Sequence, residues 1–116
     1  MFRSILVLVF IAGFNFNLHA SGLDGYTFHE NSSGVSLYYK VSEHAIRFKV
    51  KNDRDRTVHV TVSNVSSQWT DSRLRTKDVD ITYVPKGKME SNTYHQVDNY
   101  STMTGNWSFS GWEWRE

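Results

Sequence analysis

The sequence predicts an all-β protein, an antiparallel two-sheet sandwich of about seven strands with immunoglobulin-like organisation. Two observations carry that prediction. Apolar residues alternate with polar ones at period two along residues 21–116, and no stretch there shows the i, i+3, i+4 recurrence of a helix. Turn-forming clusters of Asn, Asp, Ser, Gly and Pro separate the alternating runs roughly every 8–12 residues, the spacing of a sandwich.

The chain opens with "MFRSILVLVFIAGFNFNLHA", in which Arg3 precedes an apolar block from Ile5 to Phe14 and a polar stretch ends in Ala20. This has the form of a secretory signal peptide. A bilayer-spanning helix needs about 20 apolar residues, so a retained anchor is the poorer reading. Cleavage after Ala20 is expected, although Leu18 is larger than the usual residue three before the cut, and residues 21–116 then form one domain. Its expected location is periplasmic or extracellular.

Strands follow in order. "GYTFHE" (25–30) offers a short first strand, and "VSLYYKV" (35–41) places Val35, Leu37, Tyr39 and Val41 on one face. "AIRFKVK" (45–51) turns Ile46, Phe48 and Val50 inward and Arg47, Lys49 and Lys51 outward; the residues around Ser42 to His44 suit a hairpin between these two runs. The polar "NDRDR" (52–56) then predicts a hairpin into "TVHVTVSNV" (57–65), with Val58, Val60 and Val62 on one face. Residues 66–77 read as irregular, with Trp69 and Leu74 folding back onto the core. "DVDITYV" (78–84) sets Val79, Ile81 and Tyr83 against Asp78, Asp80 and Thr82, and Pro85 with "PKGK" ends it in a turn. "NTYHQV" (92–97) is a weaker strand, and the tail supplies the last.

The run "AIRFKVKNDRDRTVHVTVSNV", followed by a strand closing in "VPKGK", resembles secreted immunoglobulin-like or fibronectin-III-like domains over residues 45 to 97. That resemblance implies a fold and little about activity. A fainter likeness is to aegerolysin-type lipid-binding sandwiches, through the Asn turn, Trp69, the Pro-x-Gly turn and a Gly-containing aromatic segment; this chain lacks the cysteines those proteins often carry.

Composition narrows the function. Arg3 accounts for the excess basic residue, so residues 21–116 are neutral in formal charge. A nucleic-acid binder normally shows a strong basic excess, so nucleic acid is not an expected partner. The absence of cysteine removes disulfides and cysteine nucleophiles, and fits a bacterial envelope better than a eukaryotic secretory route. Sequons at Asn31, Asn64, Asn99 and Asn106 would be glycan acceptors in a eukaryote; turn-rich β proteins also use these residue types for local hydrogen bonds.

No G-x-S-x-G, phosphate-cradling glycine loop or H-E-x-x-H occurs. His29, His44, His59 and His95 stand far apart in sequence, so no local metal-ligand pair exists, and neither a metal nor another cofactor is expected. His59 and His95 read as outward sheet residues and His44 as a turn residue. Asp78 and Asp80 share a strand face, a spacing open to acid/base work, but a solvated face offsetting Arg47, Lys49 and Lys51 is the plainer reading. Those three with Lys40 and Tyr38 form a cationic strip that suits a soluble, unpaired sheet face. The protein is therefore expected not to be an enzyme.

What remains is "NWSFSGWEWRE", which packs Trp107, Phe109, Trp112 and Trp114 together. A regular strand would send the first two to one face and the last two to the other. A bulge at Gly111 would bring all four to one face, and a turn at Ser110-Gly111 would pair them across a hairpin. Four such rings offer about 600–1,000 Å² at roughly 150–250 Å² each. A monomer's largest apolar patch is about 300–600 Å², so two or more of the rings must be core or the face must be covered. The expected site combines Trp107, Trp112 and Trp114 with Tyr94 and Tyr100 as a platform, and Asn106 and Glu113 as hydrogen-bonding partners. Asn99, Asp98 and Tyr38 are further candidates. Flat rings suit the apolar face of a sugar, so reversible glycan recognition is the first expectation. A protein partner engaged through an edge strand follows, then a membrane interface.

Overall fold

A computed structural model describes residues 22–95 and 102–116. The expected signal peptide, the end of the sixth expected strand, and Asp98, Asn99 and Tyr100 lie outside the described residues. Eight strands are present: β1 (Thr27–Ser32), β2 (Val35–Val41), β3 (Ala45–Asn52), β4 (Val58–Trp69), β5 (Leu74–Val84), β6 (Met89–His95), β7 (Met103–Ser108) and β8 (Gly111–Arg115). They form two antiparallel sheets packed face to face, β1-β2-β3-β6 and β5-β4-β7, with β8 also on β4. Eight rather than seven arises because the tail strand is broken at Phe109 and Ser110 into β7 and β8.

The core is the facing apolar rows. Leu37, Ile46, Phe48 and Val50 from the first sheet meet Val58, Val60, Val62, Val65, Val79, Ile81 and Val84 from the second, all buried. Trp69 lies among them at 1% exposure, as its sequence context predicts. Its indole Nε1–H donates to Ser67 Oγ at 2.7 Å, and that hydroxyl donates to Tyr94 OH at 3.2 Å. A buried polar group left unpaired costs roughly 1–3 kcal/mol, so this chain of bonds is what lets three polar groups sit in the interior.

Several expectations are corrected. The "NDRDR" segment is not a hairpin: β3 pairs with β2 and β6, while β4 pairs with β5, β7 and β8. It arches from one sheet to the other, because both flanking strands bury their apolar faces toward each other across the core. Asn52, fully buried, holds the arch: its Nδ2 donates to Arg56 O (2.7 Å) and Val84 O (2.9 Å), and its Oδ1 accepts from Arg54 N (2.9 Å). The true tight hairpin joins β1 and β2 through Ser33 and Gly34, both at positive φ (52° and 95°), where two-residue hairpin loops require it.

Residues 66–77 are mostly strand, prolonging β4 and starting β5, and Leu74 is 66% exposed rather than core. In β5 an extra residue between Ile81 and Val84 shifts the register, so Val84 turns inward and Tyr83 is 70% exposed, stacked edge-on with His59 at 4.9 Å. Val41, expected inside, is exposed at the end of β2. Tyr38, placed with an outward cationic strip, is buried; Phe28 meets it edge-on at 5.6 Å. Lys49 donates to Gly22 O at 2.6 Å and lies 4.7 Å over the Tyr26 ring, with Lys40 on the same ring, so the strip is partly folded against the segment before β1.

Side chains lace both open sides of the sandwich. On one, Asn92 Nδ2 of β6 donates to Asp80 O of β5 at 2.6 Å. On the other, β1 meets the tail.

Candidate functional site

From Trp107 onward the tail follows β4 in one continuous register, after a shift between Ser67 and Trp69. Trp107 lies opposite Ser67 and Ser108 opposite Ser66; after the break, Gly111 lies opposite Ser63, Trp112 opposite Val62 and Trp114 opposite Val60. Inward and outward positions nevertheless change parity in both strands at the same level. On β4, Val60 and Val62 face the core, then Val65, Ser67 and Trp69, with Asn64 as the extra residue at φ 53°. On the tail, Trp107 and Phe109 face inward, then Trp112 and Trp114, with one extra residue at Ser110-Gly111. The bulged form of the tail is therefore the one adopted, and all four rings pack on the core, each mostly but not fully buried.

The two bulges support each other. Asn64 Nδ2 donates to Ser110 Oγ at 3.0 Å, Ser110 N donates to Ser63 O at 2.9 Å, and Asp78 Oδ1 accepts from the Asn64 backbone N at 2.9 Å. Asp78 thus caps a bulge, and Asp80 accepts from Thr61 Oγ1 at 2.8 Å. Both lie on β5 in the second sheet, whereas Arg47, Lys49 and Lys51 lie on β3 in the first, so the expected charge offset is not made.

Trp107 packs edge-on against Tyr39 (5.0 Å) and Phe48 (6.5 Å) and stacks with Phe109 at 5.9 Å; Phe109 meets Phe48 at 5.6 Å and His29 at 4.9 Å. His29 is the extra residue of a bulge in β1, between Phe28 and Glu30. Desolvation against these rings holds its imidazole below the ordinary 6.5, with the Glu30 charge pulling the other way. Beyond it, β1 is joined to β8 by the indole nitrogens. Trp112 Nε1 donates to Glu30 Oε1 at 2.6 Å, and Trp114 Nε1 donates to Ser32 O at 3.1 Å and Ser32 Oγ at 3.3 Å. Arg54 completes this end: its guanidinium lies 4.6 Å over the Trp114 ring, Nε bonds Glu116 at 2.8 Å, and Nη1 donates to Ser33 O at 2.9 Å.

Between β1 and β8 lies an open cleft of about 330 Å³ lined by Glu30, Ser32, Trp112, Glu113 and Trp114. A second groove of about 300 Å³ lies where β7 meets β4, lined by Ser66, Gln68, Leu74, Gly105, Asn106, Trp107 and Ser108. The residues expected to form one site are thus divided. Trp112 and Trp114 meet in the cleft, Glu113 borders it from the outer sheet face beside Thr61, Trp107 and Asn106 line the groove, and Tyr94 is buried with its hydroxyl bonded to Ser67, so its ring presents no face to a ligand. Tyr100 lies outside the described residues. Sequence reasoning missed Glu30 and Ser32, because nothing local to β1 shows that it lies beside a tail more than 80 positions away.

Among the described residues no group of three or more His, Cys, Asp or Glu is placed to hold a metal ion. No protein-family model, curated protein or solved structure matches the chain.

Proposed function

We propose that the protein is a secreted, non-catalytic binding module that recognises a glycan in the cleft between β1 and β8. The observation that carries this reading is the convergence there of two tryptophan indoles with the Glu30 carboxylate and the Ser32 hydroxyl. Indole rings offer apolar contact to the C–H face of a pyranose, and Glu30 and Ser32 offer acceptors for its hydroxyls. Because both indole N–H groups are bonded to β1, the rings are held fixed before any ligand arrives, which limits the ordering cost of binding. The cleft stands at the small end of the roughly 300–1,000 Å³ range of ligand pockets, which suits a short stretch of saccharide.

The same groups weigh against the membrane reading. Headgroup-level tryptophans present their N–H groups to the interface, whereas here these are bonded to Glu30 and Ser32, and anionic lipid would be repelled by the Glu30 carboxylate. An immunoglobulin-like connectivity belongs to this reading too. It is supported by β2-β3-β6 facing β5-β4-β7, the order of strands A-B-E facing C′-C-F, with β1 added at one edge and β8 prolonging β7 along β4.

Titrating the purified protein with cell-wall and other oligosaccharides while following tryptophan fluorescence tests the proposal. Saturable change is expected with at least one glycan, and weakening on Trp112→Ala in a variant shown by circular dichroism to keep its sheet signal. No change with any glycan would sink the reading.

A further inference from the structure

The outer face of the first sheet carries a charge pattern that the cleft does not use. Across that sheet Phe28 lies opposite Tyr38, Tyr38 opposite Lys49 and Lys49 opposite Ser91. Two positions along β3 in one direction, Lys40 and Thr93 flank Arg47; two positions in the other, Ser36 and Met89 flank Lys51. All share one face, because the residues between them, Leu37, Ile46, Phe48 and Val50, fill the core. Four cations and no carboxylate therefore occupy these register positions. Lys51 has only a loose exposed pair with Asp53 at 3.8 Å, and Arg47 forms no ion pair among the described residues. On the outer face of the second sheet the balance is reversed, with Asp80 and Glu113 opposite Thr61 and Asp78 at the Asn64 bulge, against Arg115. A chain that is neutral in formal charge over residues 21–116 is thus polarised between its two faces.

Shape narrows the partner. Arg47, Lys49 and Lys51 stand in single file about 6.6 Å apart, a row of about 13 Å along β3. On the β2 side the segment before β1 folds over the sheet: Leu23 and the outward Tyr38 are both buried, Lys49 Nζ bonds Gly22 O, and the Tyr26 ring meets Lys40 and Lys49. On the β6 side stand the shorter Ser91 and Thr93. The row lies at the foot of a ledge with hydroxyls along its other flank, which suits a thin chain laid along β3 and holds off a flat bilayer. One cationic row on a neutral domain also falls short of the basic excess that nucleic-acid binders carry.

We propose that this face is a second binding surface, for a linear polysaccharide bearing carboxylate or sulfate groups. The anions pair with Lys40, Arg47 and Lys51, and Ser91 and Thr93 bond hydroxyls of the chain. The surface shares no residue with the β1–β8 cleft and does not rest on the reading of that cleft.

Isothermal titration of the purified protein with oligogalacturonate, dextran sulfate and neutral dextran of matched length tests this, with oligothymidylate and phosphatidylglycerol vesicles as further arms. Both acidic glycans should bind, neutral dextran should bind at least tenfold more weakly, and binding should fade as salt approaches 1 M, where the screening length is about 3 Å. Arg47→Gln should weaken the acidic glycans about threefold, and Lys40→Gln, Arg47→Gln and Lys51→Gln together about thirtyfold, in variants that keep their sheet signal by circular dichroism. Trp112→Ala should leave this binding unchanged; its loss there would assign the acidic glycan to the cleft and overturn the second surface. No binding of either acidic glycan, equal binding of neutral dextran, tighter binding of oligothymidylate or of vesicles, or a folded triple variant of undiminished affinity would overturn it as well.

Discussion

Deleting Ser110 should leave the four rings on the core, whereas deleting Glu113 should turn one of them out. Ser66 and Ser63 of β4 are three residues apart, as are their partners Ser108 and Gly111 on the tail. Without Ser110 the tail becomes regular, with Trp107, Phe109, Trp112 and Trp114 at alternate positions and therefore on one face. It then meets the Asn64 bulge with two steps against three, as β5 already does where Val62 and Val65 pair with Val79 and Lys77. The cost is the loss of the Ser110 bonds to Asn64 and Ser63, about 1–3 kcal/mol. Deleting Glu113 instead brings Trp112 and Trp114 to adjacent positions, so one ring turns to solvent. Each ring offers roughly 150–250 Å², mostly buried here; at about 25 cal/mol/Å² one ring is worth roughly 3–5 kcal/mol. A domain of this size has about 5–15 kcal/mol in all, so this deletion should remove much of its stability. Urea denaturation of the parent and the two deletions measures this. A Ser110 deletion as damaging as the Glu113 deletion would refute the matched-bulge reasoning.

Three further outcomes follow from the core and from β1. Ser67→Ala leaves the buried Trp69 indole N–H without its acceptor and should cost about 1–3 kcal/mol by chemical denaturation, with a shifted Trp69 emission. Asn52→Ala should cost roughly 2–4 kcal/mol, since it strands the carbonyls of Arg56 and Val84 and the Arg54 N–H, and it should raise proteolysis in the arch. His29 is held below its unfolded value, so the unfolded chain binds the proton first: the stability it contributes is whole above about 6.5 and is lost as pH falls from there through the lowered folded value. Comparing parent with His29→Gln across that window should show a steeper acid loss in the parent; parallel curves would count against the packing of His29 on Phe109.

Alternation made the strands legible, because period-two burial is a local property: Ile46, Phe48 and Val50, or Val58, Val60 and Val62, declare their face without any knowledge of neighbours. It does not declare which strand lies alongside. The "NDRDR" segment shows the difference, since the same polar turn serves a hairpin or an arch, and the deciding groups are the distant Val84 carbonyl and the Lys88 backbone that Asn52 binds. Bulges were legible where an aromatic pattern demanded a parity change, as in the tail, and invisible where one residue slipped without such a demand, as at Tyr83. In the cleft, the tryptophans could be named from sequence. Glu30 and Ser32 could not, for they reach the site through sheet packing across 82 positions.

The indole N–H resonances of the four tryptophans report on the cleft, the groove and the core separately. In a ¹⁵N-labelled sample titrated with a cell-wall oligosaccharide that changes the tryptophan fluorescence, the Trp112 and Trp114 signals should move together and saturate, while that of Trp69, buried at 1% exposure and bonded to Ser67, stays in place. Shifts confined to Trp107, or none at all, would contradict glycan binding in the cleft.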